Sequence, residues 1–200
     1  MKLRAGQFAP DFDMLDIYGR RVSLMNYLGR SVLLSFHRAA VCPLCNLRMW
    51  HMIRRYPAYQ RAGLEVIAFF ESTPERARFY LDRQQAPFPI IADHDNSVYG
   101  DYRLGSSLPS VVWAFLTRRG MYRDAARLKI GGSTADTFSR SDGPIGRLPG
   151  DFLVGQDGRI RLAYYGRDPG DFILFSDLER AAFGAPLPDV AMGLPLGVRY

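Results

Sequence analysis

Cys42 and Cys45 sit three residues apart in the run Phe36-His-Arg-Ala-Ala-Val-Cys-Pro-Leu-Cys45, and they are the only two cysteines in the 200-residue chain. A crosslink between residues this close closes almost no loop and adds little stability. A secreted domain stapled by disulfides uses more cysteines at longer separations. The value of this pair is therefore chemical. An apolar run, Ser31–Phe36, precedes it, and helical spacing begins at Pro43, so Cys42 stands where a strand hands over to a helix. A helix N-terminus offers free N–H groups and partial positive charge, which favour thiolate over thiol. His37 and Arg38 add positive potential if the loop folds them toward the sulfur. Cys45 lies one turn further on the same helix face, a geometry compatible with a disulfide. The expected cycle has Cys42 attack an oxidised substrate and Cys45 resolve the intermediate to a Cys42–Cys45 disulfide. Two other readings stay open: a pair of inert cysteines packed in a core, and half a metal site completed by His37, His51 or His94. A closed zinc site needs four ligands, and the three histidines lack ligand spacing, so neither a metal nor a cofactor is expected.

The elements that must position this pair can be read in order. Asp16-Ile-Tyr-Gly19 is a turn signal before Arg21–Leu24, which predicts an N-terminal hairpin. Ser31–Phe36 and Leu64–Phe70 are continuous apolar runs of the kind buried on both faces of a sheet. Between them a helix is predicted from Pro43 to about Tyr59, with Pro43 suited to its first turn and Pro57 expected to kink or end it. Thr73 and Pro74 form a helix start, and that helix runs to about Gln85. Phe88–Ala92 reads as a short strand at or near an edge because of its prolines. Ser97–Leu104 and Ser110–Arg127 read as helical, and Lys129–Gly146 as loop. Asp151–Gly155 and Arg159–Tyr164 flank the turn Gln156-Asp-Gly158 as a second hairpin, and Asp171–Phe183 closes as a helix. Early strands joined by helices pair in parallel, while the late hairpin adds antiparallel strands. The fold class is α/β, a central mixed sheet flanked by helices. It forms a single domain over residues 1–184, with an insertion at about 105–147 and an extended tail at 185–200.

Composition narrows the partners. The net charge is +6, but the arginines are dispersed and only Arg20-Arg21, Arg54-Arg55 and Arg118-Arg119 are adjacent, so no nucleic-acid partner is expected. No apolar run reaches the length of a membrane-spanning helix, and the N-terminus has no continuous apolar stretch of the secretory kind. The expectation is a cytoplasmic protein without a membrane partner.

Three landmarks now carry a family resemblance: Gly6-Gln-Phe-Ala-Pro-Asp-Phe12, Val41-Cys-Pro43 and Phe152-Leu-Val-Gly-Gln-Asp-Gly158. The chain resembles peroxiredoxin-like members of the alkyl hydroperoxide reductase/thiol-specific antioxidant family over roughly residues 4–183. The resemblance implies a thioredoxin-like fold, a reactive Cys42 and an antioxidant or oxidoreductase activity. It also implies that Pro149, just before the C-terminal hairpin, is cis and faces the cysteines. Pro43 and Pro149 would then shape the substrate surface.

The departures from that pattern bear on mechanism. Peroxiredoxins carry Pro-x-x-x-(Thr/Ser)-x-x-Cys, and here those positions are Ser35 and Ala39, so the hydroxyl that orients a peroxide is missing. The arginine that precedes the closing strand in the family is replaced by Pro149, which leaves Arg38 or Arg147 to supply the cation. Cys-Pro-x-Cys also resembles thioredoxin and glutaredoxin dithiols. The leading expectation is thiol–disulfide exchange, with Cys42 as nucleophile, Cys45 as resolving thiol, and Arg38 and His37 tuning the thiolate. A thiol peroxidase acting on hydroperoxides is the alternative, and a non-catalytic redox sensor or interaction module is a third reading. The expected partners are a protein disulfide or hydroperoxide and a thioredoxin- or glutathione-type reductant. Homodimerisation stays open.

Overall fold

The computed structural model describes residues 1–132, 143–144 and 146–187. Most of the predicted loop at 129–146 and most of the tail at 185–200 lie outside these residues. Strands β1 (Asp13–Leu15) and β2 (Arg21–Ser23) form the N-terminal hairpin, in the register Asp13↔Ser23. The central sheet has five strands in the order β5-β4-β3-β6-β7 and is not closed. These are β3 (Ser31–Phe36), β4 (Leu64–Phe70), β5 (Ile90–Ala92), β6 (Gly150–Val154) and β7 (Ile160–Tyr165). β3 pairs in parallel with β4, and β4 with β5, while β6 runs antiparallel to both β3 and β7. The two apolar runs read as buried strands lie at the centre of the sheet, and the proline-flanked β5 lies at its edge.

Both faces of this sheet are covered. Leu33, Val66, Ala68, Phe70 and Leu153 face one core, which holds Cys42, Cys45, Leu47 and Leu178. Val32, Leu34, Phe36, Ile67, Phe69 and Phe152 face the other, with Phe12, Tyr99 and Tyr102. Alternating side chains of one strand therefore enter two separate cores, as the period of two requires. The helices are α1 (Pro43–Arg61), α2 (Pro74–Leu81), α3 (Ser97–Asp101), α4 (Leu108–Thr117), α5 (Arg119–Arg127) and α6 (Phe175–Phe183). Thr73 caps α2 by accepting a hydrogen bond from the Arg76 amide, and Pro74 follows it, as the sequence predicts.

One expectation is narrowed and one is corrected. Pro57 does not end α1, which continues to Arg61. Tyr56 and Tyr59 are buried on either side of Pro57, and their hydroxyls donate to Glu65 (2.7 Å) and Glu179 (3.0 Å). These anchors offset the roughly 3 kcal/mol that proline costs inside a helix. The Leu148–Pro149 bond is trans, since the described residues contain no cis peptide. The chain runs extended into β6 here: the Leu148 amide donates to the Gly105 carbonyl and the Pro149 carbonyl accepts from the Gly166 amide. The trans form is the one X–Pro bonds ordinarily favour.

Candidate active site

The loop from His37 to Cys42 is fastened to the end of β4. His37 N–H donates to the Phe69 carbonyl, Glu71 N–H to the Arg38 carbonyl, and Ala40 N–H to the Ser72 hydroxyl. Asn46, on the first turn of α1, donates from its side chain to the carbonyls of Ala40 and Cys42 and accepts from Gln84. Cys42 is thereby fixed as the N-cap of α1, with Pro43 in the first turn.

Both thiols are free and buried, Cys42 at 1% exposure and Cys45 at 0%. Their surroundings split them. The Cys45 thiol donates to the Cys42 sulfur and is the main reason the Cys42 thiol is held down at about 6; the nearby Arg38 guanidinium and the amides of Cys45 and Leu44 act the same way, against burial. Cys45 moves in the opposite direction, well above the ordinary thiol value, because it is buried and because its proton is held on Cys42. At neutral pH the pair is one thiolate and one thiol, and the proton is on the residue expected to resolve.

Arg38 is 3% exposed and sits where the sequence reading places it, with its charge felt by Cys42. His37 does not. Its ring stacks on Phe70 with centroids 4.6 Å apart and its Nε2 lies 3.3 Å from the Ser35 hydroxyl. Burial, reinforced by Arg48, pushes its pKa well below the usual histidine value. It is neutral at pH 7 and lends Cys42 no charge, which corrects the expectation that it tunes the thiolate electrostatically. Arg147 is occupied elsewhere. Its guanidinium grips Glu71 at 2.7 and 3.0 Å and donates to the Leu104 carbonyl, so it does not replace the missing cation beside Cys42.

Pro43 and Pro149 are both buried. Over Pro43 lies the segment that follows α5. The Gly132 amide donates to the Val41 carbonyl, and a Cβ on Gly131 would stand 2.8 Å from the Pro43 Cα. With φ +77°, Gly131 also has a backbone suited to glycine. Met121 and Ala125 of α5 join the core that holds both cysteines. This part of the predicted insertion therefore packs on the loop that carries the dithiol. Pro149 sits against Gly166, whose missing Cβ leaves room for the proline ring.

The sequence reading did not find a buried polar chain behind the loop. Ser35 donates to Asp151 at 2.6 Å, across the β3–β6 register, and Asp151 also accepts from the Ile173 amide. Arg48 approaches the same carboxylate at 3.7 Å. A visible signal was an aspartate at the head of the otherwise apolar strand Asp151-Phe-Leu-Val154.

The pattern of the AhpC/TSA family matches residues 5–163. The chain belongs to this family. A Mycobacterium tuberculosis protein assigned to the peroxiredoxins is 28% identical over 164 residues, 82% of this chain and 86% of the relative. Thiol-disulfide oxidoreductase ResA of Geobacillus thermodenitrificans is 34% identical over 101 residues, 50% of this chain and 58% of the relative. The solved structure of peroxidoxin BcpB from Mycobacterium tuberculosis superposes with a TM-score of 0.62 at 13% identity, covering 90% of this chain and 94% of that one. The AhpC/TSA chain described here has a thioredoxin-like fold and is a thiol-based oxidoreductase.

Proposed function

We propose that this AhpC/TSA protein carries out thiol–disulfide exchange through Cys42 and Cys45. The observation that carries the reading is geometric: Cys42 stands at the N-terminus of α1 with Cys45 one turn further on and hydrogen-bonded to its sulfur, an arrangement that lowers the Cys42 pKa and raises that of Cys45. The Cys42 thiolate attacks one sulfur of a protein disulfide, forming a mixed disulfide and releasing one substrate thiolate. Cys45 then loses its proton, attacks the Cys42 sulfur and releases the second substrate thiolate. The substrate gains two electrons and the protein holds a Cys42–Cys45 disulfide. A thioredoxin- or glutathione-type thiol returns the pair to its reduced form.

A peroxidase reading is favoured by one specific observation, the match of the family pattern across residues 5–163. There the thiolate attacks the peroxide oxygen, giving a Cys42 sulfenic acid and an alcohol or water, and Cys45 condenses with it to expel water. Ala39 stands where a peroxide-orienting hydroxyl is expected, and disulfide exchange needs no such group.

Stopped-flow oxidation of the reduced protein, against hydrogen peroxide and against a disulfide, with mass spectrometry of the product, separates the two. Exchange predicts fast reaction with disulfide and peroxide rates no better than those of a free thiolate. Cys42→Ser abolishes turnover, and Cys45→Ser accumulates the mixed disulfide. Full activity in Cys42→Ser would sink the assignment.

A further inference from the structure

Away from the dithiol, a cavity of about 540 Å³ lies between α1, the junction of α4 and α5, and the segment that leads into α6. That volume is in the range of small-molecule sites. Leu47, Met121, Phe172, Ile173, Leu174 and Phe175 form the apolar part of its wall.

The charged groups of this cavity are satisfied by one another, with one exception. Arg118 is held by Asp168 and Asp171, at 3.0 and 3.4 Å. Asp171 also accepts from the Tyr164 hydroxyl and the Arg167 amide. Asp177 pairs with Arg180. Arg48 is the exception. Its side chain is only 4% exposed, and its guanidinium lies 3.8 Å from the ring centre of Phe175 and 5.4 Å from that of Phe172. Its Nε and Nη2 are buried and have no hydrogen-bond partner. The nearest carboxylate, Asp151, is at 3.7 Å, beyond hydrogen-bonding distance, and already accepts from Ser35 and Ile173. A buried donor left unmade costs roughly 1–3 kcal/mol, and more when it is charged.

We propose that this cavity binds an apolar monocarboxylate, with the ligand's carboxylate on the Arg48 guanidinium and its hydrocarbon body among Phe172, Phe175, Leu174 and Met121. Arg48 lines the cavity, and a turn of its side chain out of its buried position brings these unpaired donors onto the ligand's carboxylate, which a planar guanidinium matches in a two-bond fork. The apolar part of the wall suits a hydrocarbon body attached to that carboxylate. The carboxylates of Asp171 and Asp177 also line the cavity, so a dianion such as a phosphate monoester is disfavoured and a monoanion is preferred. The proposal stands on the cavity and Arg48, and it is independent of the chemistry assigned to the cysteines.

The test is calorimetric titration of the reduced full chain with decanoate, decanol and decyl phosphate. The expected result is one site per chain for decanoate, with decanol and decyl phosphate each at least tenfold weaker. Arg48→Met removes the preference for decanoate over decanol. Should that variant fail to fold, Leu174→Trp decides instead, because Leu174 is 47% exposed and lines the cavity, so a larger side chain there narrows it. Leu174→Trp weakens decanoate at least tenfold. Equal binding of decanoate and decanol, no binding of decanoate, or decanoate binding untouched by Leu174→Trp overturns the proposal.

Discussion

Replacing Cys45 by alanine removes the largest of the effects that hold Cys42 ionised. With its pKa at about 6, Cys42 is about nine-tenths thiolate at pH 7. A hydrogen bond to a charged group contributes roughly 1.5–3 kcal/mol. One pKa unit is about 1.4 kcal/mol, so losing the Cys45 donor raises the Cys42 midpoint by roughly 1–2 units, to about 7–8. The thiolate fraction at pH 7 then falls to between about one half and one tenth. Arg38 and the two backbone amides remain, so the midpoint stays below the ordinary thiol value even though burial still opposes it. The assay is the ultraviolet absorbance of the thiolate against pH. It needs no reagent to reach a buried sulfur, and the variant has a single thiol, so there is one transition to fit. Cys42→Ala is the mirror experiment: Cys45 alone shows no transition near neutrality, because burial, the first cause of its raised pKa, survives the change. A Cys45→Ala midpoint still at about 6 would show that Arg38 and the helix amides hold the thiolate unaided, and the reasoning given for the pair would fail.

Arg38→Met raises the Cys42 midpoint by about one unit in the same titration, since a cation near a thiolate is withdrawn; an unchanged midpoint refutes its role. His37 and His51 are both held below the ordinary 6.5, His51 at about 4, by burial first and then by neighbouring arginines. Their contribution is present above the unfolded value of 6.5 and is lost as pH falls, because the unfolded chain binds protons the native one does not; urea denaturation between pH 7 and 5 shows a loss of about 2 kcal/mol for each histidine, nearly all of it below pH 6.5, and His51→Gln removes its share. Glu71→Gln strands the buried Arg147 and lowers stability by about 3–5 kcal/mol, read from the urea midpoint, and a loss under about 1 kcal/mol contradicts the pairing described. Gly131→Ala pushes a Cβ against Pro43 and lifts the cover from the cysteines, so the rate of Cys42 alkylation by iodoacetamide rises; an unchanged rate shows that the segment does not shield the thiol.

Much of the fold was legible because the patterns are strong. β3 and β4 begin and end at the residues where their apolar runs do, and Thr73-Pro74 marks the start of α2. The Cys42–Cys45 pair and Arg38 were legible because strand-to-helix context and sequence proximity dictate their meeting. The misreadings share a cause: each depended on partners distant in sequence. Pro57 continues a helix because Tyr59 is tied to Glu179, 120 residues away. His37 reads as a cation in sequence, but it is neutral in a pocket closed by Phe70 and Phe172. Arg48, His51 and Arg55 recur at helical spacing, and all three are buried, with Arg55 paired to Glu179 at 2.9 Å. Helical periodicity shows which residues share a face, while the element that covers that face is set by the fold.

The contact of Gly131 with Pro43 also bears on kinetics. A thiolate so buried, only 1% exposed, reacts through a pre-equilibrium in which the packing over it opens. When bond formation is slow, the observed rate is the opening constant multiplied by the intrinsic rate, and it grows with oxidant concentration. When bond formation outpaces reclosing, every oxidant meets the same ceiling, the opening rate itself. Discrimination among oxidants then disappears at high concentration, and the plateau measures the loop's motion instead of the sulfur's nucleophilicity.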